Sequence, residues 1–443
     1  MSVSPQVTEV AEIIHAEWIL PIAPAVALRD HAVVVNDGRI VAVMPSTEAR
    51  LKYRGRSSVE LPGKVLLPGL VNTHGHAAMA LLRGLADDLP MMRWLTEYIW
   101  PAESRWVSAD FVRDGTAVAI SEMLLSGTTC FSDMYFFPDV TARLAAQTGI
   151  RTQLAAPILE FATAWGENAD EYIHKALALH DEYRDHPLVR IAFGPHAPYS
   201  VSPKTLGKVS TLAEELDLCI QMHVHETREE ITQAVADHGH RPLGHLAELE
   251  LLSPRLQCVH MTQVEPGEPE LLARHGVHVV HCPSSNLKLA SGFCPAADLV
   301  QAGVNVALGT DGAASSNHLD LFSEMRLAAL LAKAVSGDAA AVDARQALEM
   351  ATLNGARALG LEAEIGSLEP GKSADMIAVS CAGVGQWPLH HPESQLVYTQ
   401  VGPAVTHSWI QGKAVVRGGA LVEIDLAELQ GRVAQWQTRL QDR

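Results

Sequence analysis

Eight short apolar runs recur through the middle of the chain, at residues 67–72, 128–133, 151–158, 190–196, 219–225, 256–260, 277–282 and 304–311. Helix-patterned or polar stretches separate them. Runs this uniformly apolar read as strands buried on both faces, as in a parallel sheet covered by helices. Eight βα units over about 250 residues are what an α/β fold of the (β/α)8 TIM-type barrel requires. The competing arrangement, a doubly wound sheet, is weakened because no Gly-x-Gly-x-x-Gly follows an early strand.

The two ends of the chain are β-rich instead. Residues 31–43 hold two β-prone runs around Asn36-Asp37-Gly38, a hairpin signal, and residues 373–380 and 406–416 read as strands. The economical arrangement is a small β-sandwich domain built from both termini, residues 1–65 plus 365–420, flanking a barrel of residues 66–364. Residues 421–443 then form a C-terminal helix, with its apolar pattern over 426–440.

The length of 443 residues, 48% of them hydrophobic, suffices for one large and one small core. Residues 1–24 lack a basic start followed by a long apolar core. No apolar stretch approaches the roughly 20 residues that span a bilayer, so the expectation is a cytoplasmic protein without a membrane partner. Six scattered cysteines without a Cys-x-x-Cys pair read as reduced core residues. A formal charge of −18 argues against nucleic acid, which wants a basic stripe.

Polar residues at the strand ends carry the chemistry, because barrel enzymes place their sites at the C-terminal ends of the strands. The first run leads into His74-Gly75-His76, the fourth ends in His196, the fifth in His223-Val224-His225-Glu226, the sixth in His260 and the eighth in Asp311. Chance can put one of 21 histidines on a strand end, but five ends bearing histidine or aspartate together form a site. Side chains at i and i+2 of a strand share a face, so His74 and His76 present two imidazoles to one point, which suits zinc. Catalytic zinc takes three or four protein ligands and leaves one position open for water. His74, His76, Asp311 and one histidine of the fifth run fill that need. By spacing, His225 serves as well as His223.

The chain resembles the amidohydrolase superfamily in its mononuclear aminohydrolase branch. The matching segments are Pro68-Gly-Leu-Val-Asn-Thr-His-Gly-His76, Met222-His-Val-His-Glu-Thr227, His281-Cys-Pro-Ser-Ser-Asn286, Gly309-Thr-Asp-Gly312 and Ile365-Gly-Ser-Leu-Glu-Pro-Gly-Lys-Ser-Ala-Asp375. Leu82-Arg-Gly-Leu-Ala-Asp-Asp-Leu89, Trp94-Leu95, Pro101-Ala-Glu103 and Gly309-Thr-Asp-Gly-Ala-Ala-Ser315 are similar to the 5-methylthioadenosine/S-adenosylhomocysteine deaminases in particular. The resemblance implies metal-dependent deamination of 5′-methylthioadenosine to 5′-methylthioinosine and ammonia, with S-adenosylhomocysteine or adenosine as weaker substrates. It selects His223 as the ligand and implies one zinc per subunit. Members with two metals use a carboxylated lysine where this chain has His196, and the nearby Lys175 lies in a helical stretch. Iron and manganese suit the same nitrogen and oxygen donors.

Deamination of an adenine ring asks for a hydroxide at C6, a proton for N1 and an acceptor for the proton of the attacking water. The resemblance gives the first proton transfer to Glu226 and the second to Asp311, while His260 orients the nucleophile. It places His196 on the purine ring at N3, Glu103 on the ribose hydroxyls, Trp94 against the thioether end and Ser315 near the substrate tail. Arg151 matches one of two arginines that hold the amino-acid carboxylate of S-adenosylhomocysteine in relatives. The second has no counterpart: Leu159-Glu-Phe-Ala-Thr-Ala-Trp-Gly-Glu-Asn168 is apolar and acidic. The expected partner is therefore a small nucleoside, with 5′-methylthioadenosine preferred, and the protein is expected to be a homo-oligomer. The alternatives are an aminohydrolase of guanine-like or triazine rings on the same scaffold and a non-catalytic metal-binding protein.

Overall fold

The apolar run at residues 67–72 proves to be divided between two sheets. The computed structural model describes residues 7–441. Its first four strands are β1 (Thr8–Ile19), β2 (Leu28–Asn36), β3 (Arg39–Pro45) and β4 (Tyr53–Pro68), and the next, β5 (Leu70–Asn72), opens the barrel. Gly69 is the break. A Cβ there would lie 1.9 Å from Thr129 Oγ1, so only glycine lets the chain turn from one sheet into the other.

The barrel continues with β6 (Thr128–Asp133), β7 (Arg151–Ile158), β8 (Val189–Pro195), β9 (Ile220–Val224), β10 (Leu256–His260), β11 (His278–His281) and β12 (Asn305–Leu308). Neighbours pair in sequence order and in parallel from β5 to β12. The ring closes where Thr73 N–H donates to Leu308 O at 2.9 Å and Asp311 N–H donates to His74 O at 3.1 Å. All eight runs read from the sequence are strands, but β9, β11 and β12 stop short of their polar ends. His225, His260 and Asp311 have φ of +56°, +78° and +59°, so the backbone leaves the pleat at these residues.

The terminal strands form a second eight-stranded sheet in the order β16-β15-β14-β13-β4-β1-β2-β3. Here β13 is Met376–Ser380, β14 Val405–Ile410, β15 Lys413–Arg417 and β16 Ala420–Leu421. Ile14, Val33 and Ile40 from its first part meet Met376, Ala378 and Trp409 from its last part in one buried cluster. The Asp37-Gly38 hairpin forms as expected, both residues at positive φ. Residues 406–416, read as one strand, are instead a hairpin turning at Gln411-Gly412, again with two positive φ values.

A buried ion pair ties the two sheets together. Arg151, at the start of β7, meets Asp375, just before β13, at 2.9 Å, with side chains 5% and 1% exposed. The final helix, Leu426–Gln441, packs on the barrel helix Ala109–Leu125, with Trp436 Nε1 donating to Asp114 Oδ2 at 2.9 Å. Among the described residues no helix is long and apolar enough to cross a membrane.

Candidate metal centre and cleft

Three imidazoles are aimed at one point by what their other nitrogens touch. His74 Nδ1 lies 2.8 Å from Gln221 Oε1, His76 Nδ1 2.6 Å from Met134 O and His223 Nδ1 2.8 Å from His196 O. Carbonyl oxygens only accept, so each Nδ1 carries a proton and each Nε2 is the nitrogen turned inward, where it offers a cation its lone pair. The Nε2 atoms of His74 and His223 are 3.2 Å apart. Asp311 Oδ1 stands 3.5 Å from His74 Nε2 and 3.2 Å from His76 Nε2. Lone pairs this close without a proton between them repel, and a cation at their centre reverses the sign. Three nitrogens and one carboxylate oxygen are a donor set that zinc accepts.

Asp311 is itself oriented. Ser285 Oγ and Ser315 Oγ donate to its Oδ2 at 2.6 and 2.9 Å, and Gly312 N–H donates to Oδ1 at 2.7 Å, which fixes Oδ1 toward the histidines. Burial opposes its charge, but the adjoining His74 and His76 imidazoles hold it well below the usual carboxylate range. Burial likewise opposes charge on His76, yet the Asp311 carboxylate raises that histidine to about 9. The cluster thus favours one positive charge where the donors meet. His74 and His223 are held low by burial. No lysine joins them: Lys175, on the helix Ala169–Tyr183, pairs with Glu171 at 2.7 Å.

The ambiguity between His223 and His225 disappears in the geometry. The positive φ at His225 swings its ring out of the barrel, where Nε2 accepts from Leu243 N–H at 3.1 Å. Burial, followed by the nearby Arg241, pushes His225 down to about 3. His223, still inside β9, stays in the cluster.

Glu226 and His260 complete the floor of the cleft, with His260 Nε2 3.7 Å from Glu226 Oε2. Burial, reinforced by Asp311, pushes the Glu226 carboxyl up to about 8, so it holds a proton near neutrality. His260 Nδ1 meets Asn286 Oδ1 at 2.9 Å, and its ring stacks on His223 at 5.4 Å.

Above this floor opens a cleft of about 1300 Å³ whose lining includes Trp94, Glu103, His196, Glu226, Asp311 and Ser315. Trp94 and Glu103 come from the irregular helical segment between β5 and β6, which contains a π-helical turn at Leu95–Ile99. Glu103 Oε1 accepts from Tyr135 O–H at 2.7 Å, and burial raises its pKa. His196 Nδ1 lies 3.0 Å from Ser200 Oγ, and burial lowers it to about 4, which keeps it neutral.

Two expectations change. Arg151 is not brought to the cleft. It begins β7, and parallel strands place their N-terminal ends at the face of the barrel opposite the metal donors. There its guanidinium binds Asp375, Ser373 and the Pro187 carbonyl. Ser315 borders the cleft, but its hydroxyl is spent on Asp311. Sequence reasoning also overlooked Tyr135, Gln221 and Ser285. Ser285 lies within the quoted His281 to Asn286 motif, whereas Tyr135 and Gln221 belong to no pattern that marks them.

Comparison with known proteins agrees with this geometry. Residues 65–415 match the Amidohydrolase family. A 5-methylthioadenosine/S-adenosylhomocysteine deaminase of Teredinibacter turnerae is 51% identical over 426 residues, covering 96% of each chain. The crystal structure of an adenosine deaminase from Xanthomonas campestris with bound zinc superposes with a TM-score of 0.98 at 49% identity, covering 99% of this chain and 100% of that one. Atrazine chlorohydrolase of Arthrobacter aurescens, complexed with zinc, shares the fold at a TM-score of 0.90 and 24% identity, over 96% of this chain and 99% of its own. The chain belongs to the amidohydrolase family.

Proposed function

We propose that the protein hydrolyses the C6 amino group of 5′-methylthioadenosine, giving 5′-methylthioinosine and ammonia, with one zinc ion held by His74, His76, His223 and Asp311. Iron or manganese fits the same donors. A bound ion supplies Lewis acidity that brings the pKa of water toward neutrality. The protein supplies the proton traffic and the aim. Asp311 takes a proton from the attacking water, and Glu226 gives its own to N1, so the ring accepts electrons as the C6–O bond forms. Asp311 passes its proton to the amino nitrogen, and as ammonia leaves, the C6 hydroxyl proton returns to Glu226 and the product keeps C6=O and N1–H. His260, fixed by Asn286, orients the nucleophile, and His196 holds the purine at N3.

The observation that carries this reading is that one cleft contains both the metal donors with protonated Glu226 on its floor and the half-buried Glu103 carboxylate on its wall. Tyr135 occupies one Glu103 oxygen, and the other is left for the 2′- and 3′-hydroxyls of a ribose. Trp94 packs against the 5′-thioether. The names carried by relatives about half identical in sequence point the same way, which disfavours guanine and triazine substrates.

The preference for 5′-methylthioadenosine over S-adenosylhomocysteine follows from charge. Among the described residues, the cleft lining includes Glu160 and Asp237 and no lysine or arginine, and Arg151 is engaged elsewhere. An amino-acid carboxylate finds no cation there. Six cysteines without a disulfide support a cytoplasmic location. We propose in addition that the chain forms a homo-oligomer, which light scattering measures.

The test is ammonia release from 5′-methylthioadenosine, S-adenosylhomocysteine, adenosine, guanine and a triazine by the zinc-loaded protein. The highest kcat/KM is expected for 5′-methylthioadenosine. A preference for guanine or the triazine would overturn the nucleoside reading.

A further inference from the structure

The interior of the barrel, below the metal donors, holds an uninterrupted chain of carboxamides. Gln153 of β7, Gln221 of β9 and Gln257 of β10 are 2%, 0% and 0% exposed. Gln153 Nε2 donates to Leu359 O at 3.0 Å, and Gln257 Nε2 donates to Ala358 O at 2.6 Å and to Gln153 Oε1 at 3.0 Å. Gln221 Nε2 donates to Gln257 Oε1 at 2.6 Å and to Thr73 O at 2.9 Å. Gln221 Oε1 then faces His74 Nδ1 at 2.8 Å.

The direction of this chain is forced from its lower end. Ala358 and Leu359 close the short helix Leu353–Ala358, whose last carbonyls have no partner within the helix. A backbone carbonyl only accepts, so the amino groups of Gln153 and Gln257 must point toward the barrel floor. Gln257 Oε1 therefore points up and must receive the Gln221 amino group. Gln221 Oε1 is left for His74, and it too only accepts. His74 is thereby locked with its proton on Nδ1 and its lone pair on Nε2. Aligned hydrogen bonds in a dry interior polarise one another, so each carboxamide makes the next oxygen a stronger acceptor and the imidazole a stronger donor to a cation.

We propose that Gln221, Gln257 and Gln153 act as positioning residues that fix the tautomer of His74 from the floor of the barrel and raise its affinity for the metal. This rests on the reading of His74 as a metal ligand. Gln257 touches neither the metal donors nor the cleft, yet it belongs to the same chain.

The experiment compares the parent protein with Gln221→Met, Gln221→Glu, Gln257→Met and His74→Ala. Zinc affinity is measured by competition with a chelator, and the visible spectrum is recorded for the cobalt-loaded forms. Gln221→Met is expected to weaken zinc binding about ten- to hundred-fold and to alter the cobalt spectrum. Gln221→Glu keeps the acceptor toward His74 but loses the donor toward Gln257 Oε1 and Thr73 O, so it is expected to bind zinc more tightly than Gln221→Met and less tightly than the parent. Gln257→Met weakens it by a smaller factor of at least about threefold. Parental zinc affinity and an unchanged cobalt spectrum in Gln221→Met would overturn the proposal, provided His74→Ala has lost the metal. If Gln221→Met does not fold, Gln257→Met decides in its place, and parental affinity there overturns the relay. Parental zinc binding in His74→Ala would instead overturn the metal reading on which it rests.

Discussion

Replacing Glu226 with Gln removes one titratable proton from the cleft and changes almost nothing else. The main-chain N–H of Glu226 donates to Glu230 Oε2 at 2.7 Å and its carbonyl accepts from Thr262 Oγ1 at 2.7 Å, and both bonds survive the change. The side chain keeps its size, and His260 still has Asn286 to hold it. What is lost is an acid at about 8, a value set by burial and by the neighbouring Asp311 carboxylate. With that value the group is about nine-tenths protonated at pH 7 and about one-tenth at pH 9. The active form is the acid, so kcat/KM should hold level below the Glu226 pKa and fall tenfold per pH unit above it. A bound cation opposes the upward shift and moves the break to pH 8 or below. A positioned general acid contributes about 10²–10⁴-fold, so Gln should lower kcat by that factor with metal content unchanged. Steady-state ammonia release between pH 6 and 10, with metal analysis of both proteins, checks this. Turnover by the Gln variant within a few-fold of the parent, or a parent profile flat to pH 10, would refute the assignment.

Arg151→Met leaves the Asp375 carboxylate buried without its partner and should cost about 3–5 kcal/mol in chemical denaturation. The KM ratio of 5′-methylthioadenosine to S-adenosylhomocysteine should stay constant, because the guanidinium lies away from the cleft. His225→Gln should retain full zinc content by elemental analysis, whereas His223→Gln should lose it, because only the second ring turns toward His74. Tyr135→Phe removes the hydrogen bond that orients the Glu103 carboxylate toward the ribose, and it should raise KM for ribosides several-fold while leaving kcat within about twofold.

The barrel was legible because each strand is buried on both faces and so advertises itself as an apolar run. The turn from β4 into β5 was not, since one apolar run serves two sheets and only the contact of Gly69 with Thr129 separates them. The Gln411-Gly412 turn was hidden for a related reason. Its φ values, +49° and +68°, reverse the chain without any break in the β-prone pattern of residues 406–416. The strand-end histidines stood out by residue type. Alternation along a strand gives His223 and His225 one face, however, and fails as soon as the backbone leaves the β region at the second of them. Arg151 misled because the match was followed over its place at the start of the run 151–158, the end of a strand that lies away from the site in a barrel. Gln153, Gln221 and Gln257 sat unnoticed inside strand runs, since a buried amide differs from a solvated one only through partners more than 30 residues away.

Whether one metal, held by His74, His76, His223 and Asp311, serves the deamination of 5′-methylthioadenosine is tested most directly by titrating zinc into metal-free protein. Ammonia and 5′-methylthioinosine are followed together. Activity should rise linearly and level off at one equivalent of zinc per chain, with 5′-methylthioadenosine consumed to completion. A plateau only at two equivalents, or full metal loading without deamination of that nucleoside, would contradict it.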